Sequence, residues 1–242
     1  MKPKCAVLYI SYNGLLEEIA PSQVVPYIRE LARENFAFTL LTFEKKERLR
    51  EAGAKGLAKI KNELNELGIE WRWCRYHKRV SLAATSFDVA VGALWTAYFL
   101  IFKHVRIVHA RSIVPAAMGA VSKLFNAGFI FDTRGLLAEE YVGGNQWKES
   151  SFKYRLVKFF EKACLKAADE IIVLSERHKE YLAGLSYLED KLRKGAVSVI
   201  PCCVDLDRFR YGFTTNAPLR KKEGLENDFV FCDCFGFISS RK

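Results

Sequence analysis

The 242-residue sequence predicts an α/β protein built on a doubly wound, mostly parallel sheet. Three observations support this prediction. Apolar runs rich in β-forming residues alternate with segments of helical periodicity, the order that produces parallel strands joined by helices. The last of these runs ends at Ile200-Pro201, where proline stops the strand. Half of the residues are apolar and 27% are charged, as is typical of a globular domain.

Hydrophobic periodicity and the positions of glycine and proline predict seven strands and five helices. The strands are expected at 6–10, 38–43, 69–74, 107–110, 128–132, 170–174 and 197–200. The helices are expected at 24–32, 44–67, 115–125, 152–168 and 176–185. In the first helix, Val24, Ile28 and Leu31 share one apolar face, and Gly68 ends the second helix before the third strand.

The segment 81–102 is the most apolar part of the chain, with Asp88 as its single charge. Its length would allow a helix to cross a bilayer. Asp88 and the polar Thr85 and Thr96 argue against a spanning helix, and so does the α/β alternation on both sides. Two alternatives stay open: a helix buried in the core or facing a partner, and a helix that docks shallowly on a membrane.

The chain is basic, with a net charge of +10, and the excess is concentrated in one region. Residues 45–79 contain eleven Lys and Arg against five Glu, a local excess of six positive charges. Such a region favours anionic partners: a lipid surface, a phosphorylated substrate or nucleic acid. Nucleic acid ranks last, because no nucleic-acid-binding motif accompanies the charge.

Cysteine usage predicts free thiols in a reducing cytoplasm. The seven cysteines are an odd number, Cys202 and Cys203 are adjacent, and the pair Cys232 and Cys234 lacks further ligands at zinc-binding spacing. No metal is therefore expected. The first residues are predicted to form a strand rather than a signal peptide, which favours a cytoplasmic location.

Polar and charged residues cluster where the predicted strands end. A loop containing Asn13 and Gly14 follows the first strand, and Ser22 is a candidate N-cap for the first helix. His109 and Arg111 end the fourth strand, and Asp132 ends the fifth. Ligands of open α/β sheets bind at the carboxyl ends of the strands, so these residues are candidates for a binding site.

Four segments resemble the family 4 glycosyltransferases. They are the loop from Asn13 to Tyr27, the run His109-Ala-Arg-Ser112, the turn Asp132-Thr-Arg-Gly135, and the segment from Ile200 to Phe209 that matches I-P-x-x-V-D-x-x-R-F. The resemblance covers roughly residues 5–210. It implies a Rossmann-like sheet that forms the N-terminal, acceptor-binding half of the two-domain architecture called GT-B.

The resemblance also implies a domain organisation and a reaction. Residues 1–210 would form the acceptor domain, 211–227 a linker and 228–242 the first strand of a C-terminal domain. Members transfer a sugar, with retention of configuration, from a nucleotide-sugar to a carbohydrate or lipid-linked acceptor without a bound metal or other cofactor. The donor binds mainly to the C-terminal half through two glutamates eight positions apart, and no such pair occurs here. We therefore expect negligible turnover from this chain alone.

The resemblance assigns roles to the candidate residues. Asp132, Arg134 and His109 are catalytic candidates: a carboxylate to orient the acceptor hydroxyl, and positive charge to balance the departing phosphate. The substrate-binding candidates are Asn13, Gly14, Ser22, Gln23, Arg111 and Glu139. The alternatives are a purely structural His109 and an Arg134 that pairs with Asp132 or Glu139. A non-catalytic, membrane-associated binding module with the same half-fold is the alternative function.

Overall fold

The structure is a computed structural model that describes residues 5–77, 82–203, 221–222 and 224. Residues 1–205 and 206–242 separate into two compact units, and the fold presented below belongs to the first. The predicted linker, the predicted strand at 228–238 and the motif residues from Val204 to Phe209 lie outside the described residues, so these predictions stay predictions.

Seven parallel strands form a single sheet in the order β3-β2-β1-β4-β5-β6-β7. Each strand lies within two residues of its predicted position. The strands are β1 Cys5–Ser11, β2 Phe36–Glu44, β3 Ile69–Arg75, β4 Ile107–Arg111, β5 Gly128–Asp132, β6 Glu170–Val173 and β7 Val197–Val199. The strand order changes direction between β1 and β4, so these two neighbours define the switch point of the sheet.

Eight α-helices accompany the sheet in the described part of the chain. They are α1 Val25–Arg33, α2 Lys46–Glu66, α3 Leu82–Phe102, α4 Ile113–Gly119, α5 Leu137–Gly143, α6 Phe152–Ala167, α7 Glu176–Ala183 and α8 Glu189–Arg193. The predicted helix at 115–125 divides into α4 and a 3-10 helix, Ala120–Phe125. The short helices α5 and α8 were not predicted, because five to seven residues are too few for a periodic pattern.

Two details of the predicted helices differ from the structure. Gly53 interrupts α2 with φ 60° and ψ 176°, a backbone conformation that only glycine adopts readily. Ser22 does not cap α1, because it lies inside a π-helical turn, Ala20–Val24, that runs directly into that helix. The Ser22 hydroxyl donates instead to the carbonyl oxygens of Glu18 and Ile19 at 2.7 and 3.1 Å.

The core consists of three hydrophobic clusters around the sheet. Tyr9 and Val7 of β1 pack with α1 and α2, whereas Leu8 and Ile10 of the same strand pack with α3 and α4. This alternation places β1 between two helical layers, as period-two side chains require. The third cluster joins β4 to β7 with α6 and α7. The sequence prediction of a doubly wound parallel sheet is confirmed.

Helix α3 is buried on one side and exposed on the other. Asp88, Gly92, Thr96, Phe99 and Leu100 are buried against the domain. The exposed side of α3 carries large apolar residues, the most exposed being Phe87, Leu94, Tyr98, Ile101 and Phe102. This helix is long and apolar enough to cross a membrane by length and composition alone. Its buried polar residues show that it packs on the sheet in this fold.

Candidate functional site

The candidate site lies beside the switch point, where the neighbouring strands β1, β4 and β5 end. Arg111 and Asp132 are register partners at the last positions of these strands, and His109 lies two residues earlier on the same face as Arg111. Ser11, the last residue of β1, is the register partner of Arg111 on the other side. Three neighbouring strands therefore end at one place. The sequence predicted a common cleft for Gly14, His109 and Asp132. The structure brings His109 and Asp132 together, whereas Gly14 lies against Glu44 at the end of β2.

The three catalytic candidates are in direct proximity. His109 Nε2 lies 3.7 Å from Asp132 Oδ2, and Arg134 Nε lies 3.1 Å from the same oxygen. The His109 and Asp132 side chains are only 4% and 6% exposed. The Arg134–Asp132 contact has ion-pair distance but not hydrogen-bond geometry, since Arg134 Nε has no hydrogen-bond partner among the described residues. Of the two partners considered for Arg134, the structure selects Asp132.

Gln23 connects the segment before α1 to the end of β4. Its Oε1 accepts a hydrogen bond from Arg111 Nη2 at 2.5 Å. The Cys202 thiol lies 4.0 Å from the same Gln23 oxygen and 3.7 Å from Arg134 Nη1. The segment after β7 thus borders the same group of side chains, so Cys202 belongs to the site although it was considered only as a free thiol.

Two tyrosines surround the imidazole of His109. The Tyr9 and Tyr27 rings lie 4.4 and 6.0 Å from the His109 ring, centroid to centroid. Burial, and then the neighbouring Asp132 carboxylate, raises the pKa of both phenols, which therefore stay protonated. Burial lowers the pKa of Arg111. Sequence reasoning assigned no role to either tyrosine. The signals were the position of Tyr9 two residues before the end of β1, and that of Tyr27 at the end of the loop that resembles the family.

Several buried polar atoms at this site have no hydrogen-bond partner among the described residues. They are His109 Nε2, Arg111 Nη1, Asp132 Oδ1 and Arg134 Nε. A buried polar atom without a partner is costly, and such atoms are few in native proteins. These four atoms lie at or just after the ends of adjacent strands, and they include hydrogen-bond donors as well as an acceptor. They are therefore suited to binding a polar ligand.

The backbone around these residues is also unusual. Arg134 has φ 54° and Ser112 has φ 76°, both in the left-handed region that non-glycine residues rarely adopt. The Ser112 N–H donates to the Asp132 carbonyl at 2.7 Å, which joins the turns after β4 and β5. Strained backbone of this kind concentrates at functional sites.

Asn13 and Gly14 lie in the loop after β1, next to the end of β2. A Cβ atom on Gly14 would be 2.3 Å from Glu44 Oε2, so the close approach that this glycine permits is to a buried carboxylate. Glu44 accepts hydrogen bonds from the Leu15 and Leu16 N–H groups at 2.6 and 3.2 Å. The Asn13 carbonyl accepts a hydrogen bond from Ser11 Oγ at 3.0 Å. Substrate contact by Asn13 and Gly14 stays a prediction.

Glu139 lies in α5 and binds a lysine of α6. Lys158 Nζ donates to Glu139 Oε1 at 2.7 Å and to Glu161 Oε1 at 2.5 Å. The Tyr181 hydroxyl completes this group at 3.3 Å from Lys158 Nζ. Glu139 is therefore part of a contact among α5, α6 and α7. Its Oε2 is buried without a partner among the described residues, and a substrate contact there stays a prediction.

Comparison with known proteins places this fold in a defined class. Residues 23–208 match the model of Glycosyltransferase Family 4, and the chain belongs to that family. Its seven-stranded sheet is the Rossmann-like half-fold of a GT-B glycosyltransferase, as the sequence resemblance implied. No match was found among curated proteins.

Solved structures share the fold at low sequence identity. Sucrose-phosphate synthase from Thermosynechococcus elongatus superimposes with a TM-score of 0.53 and 18% identity, over 90% of this chain and 53% of that one. UGT89C1 from Arabidopsis thaliana, solved with UDP, superimposes with a TM-score of 0.50 and 10% identity, over 93% of this chain and 55% of that one. UGT73P12 from Glycyrrhiza uralensis superimposes with a TM-score of 0.50 and 8% identity, over 81% of this chain and 48% of that one. The chain thus spans about half the length of these proteins.

Proposed function

We propose that this chain is the acceptor-binding half of a retaining glycosyltransferase. The reaction moves a sugar from a nucleoside diphosphate sugar onto a carbohydrate or lipid-linked acceptor. The observation that carries the proposal is a set of buried polar atoms beside the switch point, on His109, Arg111, Asp132 and Arg134, that have no hydrogen-bond partner among the described residues. UGT89C1, solved with UDP, and UGT73P12, solved with glycyrrhetinic acid 3-O-monoglucuronide, are consistent with this substrate class.

The side chains suit separate tasks in such a transfer. Asp132 Oδ1 is free to accept a hydrogen bond from an acceptor hydroxyl and to orient it. His109 Nε2 and the Arg134 guanidinium lie on the other side of the same carboxylate. Arg134 offers positive charge for a departing phosphate. Arg111 is held by Gln23 through one nitrogen and keeps Nη1 for an anionic acceptor group.

Acceptor binding tests the proposal. The probes are methyl glycosides and sugar 1-phosphates, and the measurement is saturation-transfer NMR with the purified 242-residue chain. We expect binding of at least one probe, with affinity reduced about tenfold or more in Asp132→Asn and Arg134→Ala through loss of charge-assisted hydrogen bonds. Arg193→Ala is the control, because that arginine is exposed and, among the described residues, pairs with Asp190 alone. Binding that survives both site variants favours the non-catalytic module instead.

We further propose that the protein works at the cytoplasmic face of a membrane, to which α3 attaches peripherally. The support is the exposed apolar side of α3, together with the excess of basic residues in 45–79. A lipid-linked acceptor would be delivered from such a surface, as in polysaccharide biosynthesis.

Vesicle co-sedimentation tests membrane attachment. Leu94 and Phe102 are 72% and 66% exposed, so Leu94→Ser/Phe102→Ser removes apolar surface without opening the core. We expect this variant to lose most of its binding to vesicles that contain anionic lipid. Phe152→Ser is the matched control, because Phe152 is 70% exposed on α6. Equal binding by all three proteins would contradict attachment through α3.

A further inference from the structure

A second cleft lies at the carboxyl ends of β2 and β3, away from the switch point. Its volume is about 400 Å³, within the range of small-molecule sites. Lys45 and Lys46 line it from the start of α2, Arg75 and His77 from the end of β3, and Phe87 from α3. Residues assigned above to the proposed transferase site do not line this cleft.

The charges around this cleft are not balanced. Lys45 Nζ is paired with Glu17 Oε1 at 2.8 Å, and Glu47 is the acidic residue of the lining. Lys46 and Arg75 form no ion pair with any described residue. Two unpaired cations that line one cleft repel each other, and an anion bound between them would relieve that repulsion.

The histidine of the cleft is held by a buried carboxylate. Asp88 is fully buried on the apolar helix α3. Its oxygens accept hydrogen bonds from the Tyr12 hydroxyl at 2.7 Å and from the His77 backbone N–H at 3.2 Å. Asp88 Oδ1 also lies 2.5 Å from His77 Nδ1. With Nδ1 engaged, the ring is fixed in orientation and Nε2 remains for a ligand.

A structural role accounts for part of this arrangement. The contacts of Asp88 join α3 to the ends of β1 and β3, and this alone explains a charged residue on an apolar helix. It does not explain Lys46 and Arg75, which take no part in those contacts. An aromatic wall adds to the cleft, since the Phe87 ring lies 5.0 Å from the His77 ring and is 55% exposed.

We propose that this cleft binds the phosphate group of an amphiphilic molecule. Lys46, Arg75 and His77 would contact the phosphate, and Phe87 with Tyr76 would contact an apolar or planar group attached to it. The phosphate can belong to a membrane lipid headgroup or to a soluble phosphate ester. The site goes beyond the proposed transferase site and does not depend on it. It shares Lys46, Arg75 and Phe87 with the surface proposed above for membrane attachment, and the soluble arm of the experiment tests it without a membrane.

The experiment has one soluble arm and one membrane arm. In the first, phenyl phosphate is titrated into the isotope-labelled 242-residue chain and followed by NMR. In the second, the chain is sedimented with phosphatidylcholine vesicles that contain or lack phosphatidic acid. We expect Lys46→Ala/Arg75→Ala to weaken binding by about tenfold or more in at least one arm. A response in the membrane arm alone identifies a headgroup, and a response in the soluble arm alone identifies a soluble ester.

Two further variants make the result specific. Lys55→Ala/Lys61→Ala removes the same charge from exposed positions of α2 and should change binding less than about twofold, because neither residue lines the cleft. Arg111→Ala/Arg134→Ala separates the two sites. An equal loss in the Lys55/Lys61 variant would mean diffuse attraction and overturn the proposal. A loss of binding in the Arg111/Arg134 variant alone would also overturn the proposal, but it would leave the proposed transferase function intact. Absence of binding by the unmodified chain would overturn the proposal as well.

Discussion

At the scale of single residues, Glu44 controls the loop that follows β1. It is fully buried and accepts hydrogen bonds from the Leu15 and Leu16 N–H groups and from Thr42 Oγ1. Gly14 leaves just enough room for its carboxylate. The Glu44 carboxyl group thereby holds the loop against the end of β2, at a position where burial disfavours the ionised form of that group.

The pKa of Glu44 gives a prediction for the pH dependence of stability. Burial raises this pKa more than the hydrogen bonds from Thr42 and from the loop N–H groups lower it. A glutamate whose pKa is higher in the folded than in the unfolded state stabilises the fold while it is protonated. The unfolded-state pKa of Glu is about 4.3, and the stabilisation is lost as pH rises from there through the folded-state pKa. The free energy of unfolding of the native protein should therefore decrease relative to Glu44→Gln as pH rises.

Urea unfolding at about pH 4.5 and about pH 7.5 measures this difference. Glu63→Gln is the control, because Glu63 is exposed on α2. A stability difference between the native protein and Glu44→Gln that is the same at both pH values would contradict the raised pKa.

The cysteines provide a second prediction at this scale. Burial raises the pKa of the Cys74 thiol to about 11 and that of Cys164 to about 12, whereas Cys202 and Cys203 are exposed. Because the thiolate is the reactive form, iodoacetamide should modify Cys202 and Cys203 well before Cys74 and Cys164. Mass spectrometry of the native protein at successive times measures the order. Equal rates for all four would show that the core opens readily.

At the scale of elements, α3 and α4 approach closely at one glycine. A Cβ atom on Gly92 would lie 2.4 Å from Met118 Sδ, and Met118 is fully buried. This contact allows the apolar α3 to bury one side while its other side stays exposed.

Gly92→Ala should therefore destabilise the protein although alanine favours helices. Overpacking typically costs roughly 1–3 kcal/mol, against a propensity gain of about 0.5–1 kcal/mol. Gly56→Ala in α2 is the matched control, because the nearest atom to its added Cβ would be Ala52 Cβ at 3.5 Å. We expect Gly56→Ala to be neutral or stabilising. Chemical unfolding measures the change in the free energy of unfolding for both variants. An equal change in Gly92→Ala and Gly56→Ala would mean that α3 and α4 do not pack as described.

At the scale of the whole molecule, one sheet supports two groups of ligand-suited side chains along its carboxyl edge. The switch-point group lies on β4 and β5, and the basic cleft lies at β2 and β3.

Sugar transfer by the isolated 242-residue chain is the prediction at this scale. The family resemblance assigns donor binding to two glutamates eight positions apart, and no such pair occurs in these 242 residues, so we expect acceptor binding with negligible transfer. Incubation with radiolabelled nucleotide-sugars and candidate acceptors, followed by product chromatography, measures this. Transfer at the rate of a complete family member would contradict the assignment of the chain to an acceptor-binding half.

The positions of the strands and the nature of the residues at their ends were determined by the sequence alone. Apolar runs and turn residues are local signals, and parallel strands bring their carboxyl ends to a common edge, so the proximity of His109 and Asp132 followed from the chain order. Gly14 was predicted for the same cleft, but it lies against Glu44. The family resemblance of the motifs was likewise readable without coordinates.

Only the tertiary structure decided which distant residues meet. It placed Glu44 beneath Gly14, Lys158 beside Glu139, and Asp88 between Tyr12 and His77. It also showed that one side of α3 is buried against the domain while the other exposes large apolar side chains, and docking of that exposed side on a membrane stays a prediction. These contacts join residues far apart in the chain. Side-chain packing between elements fixes them, and no local pattern of residues records such packing.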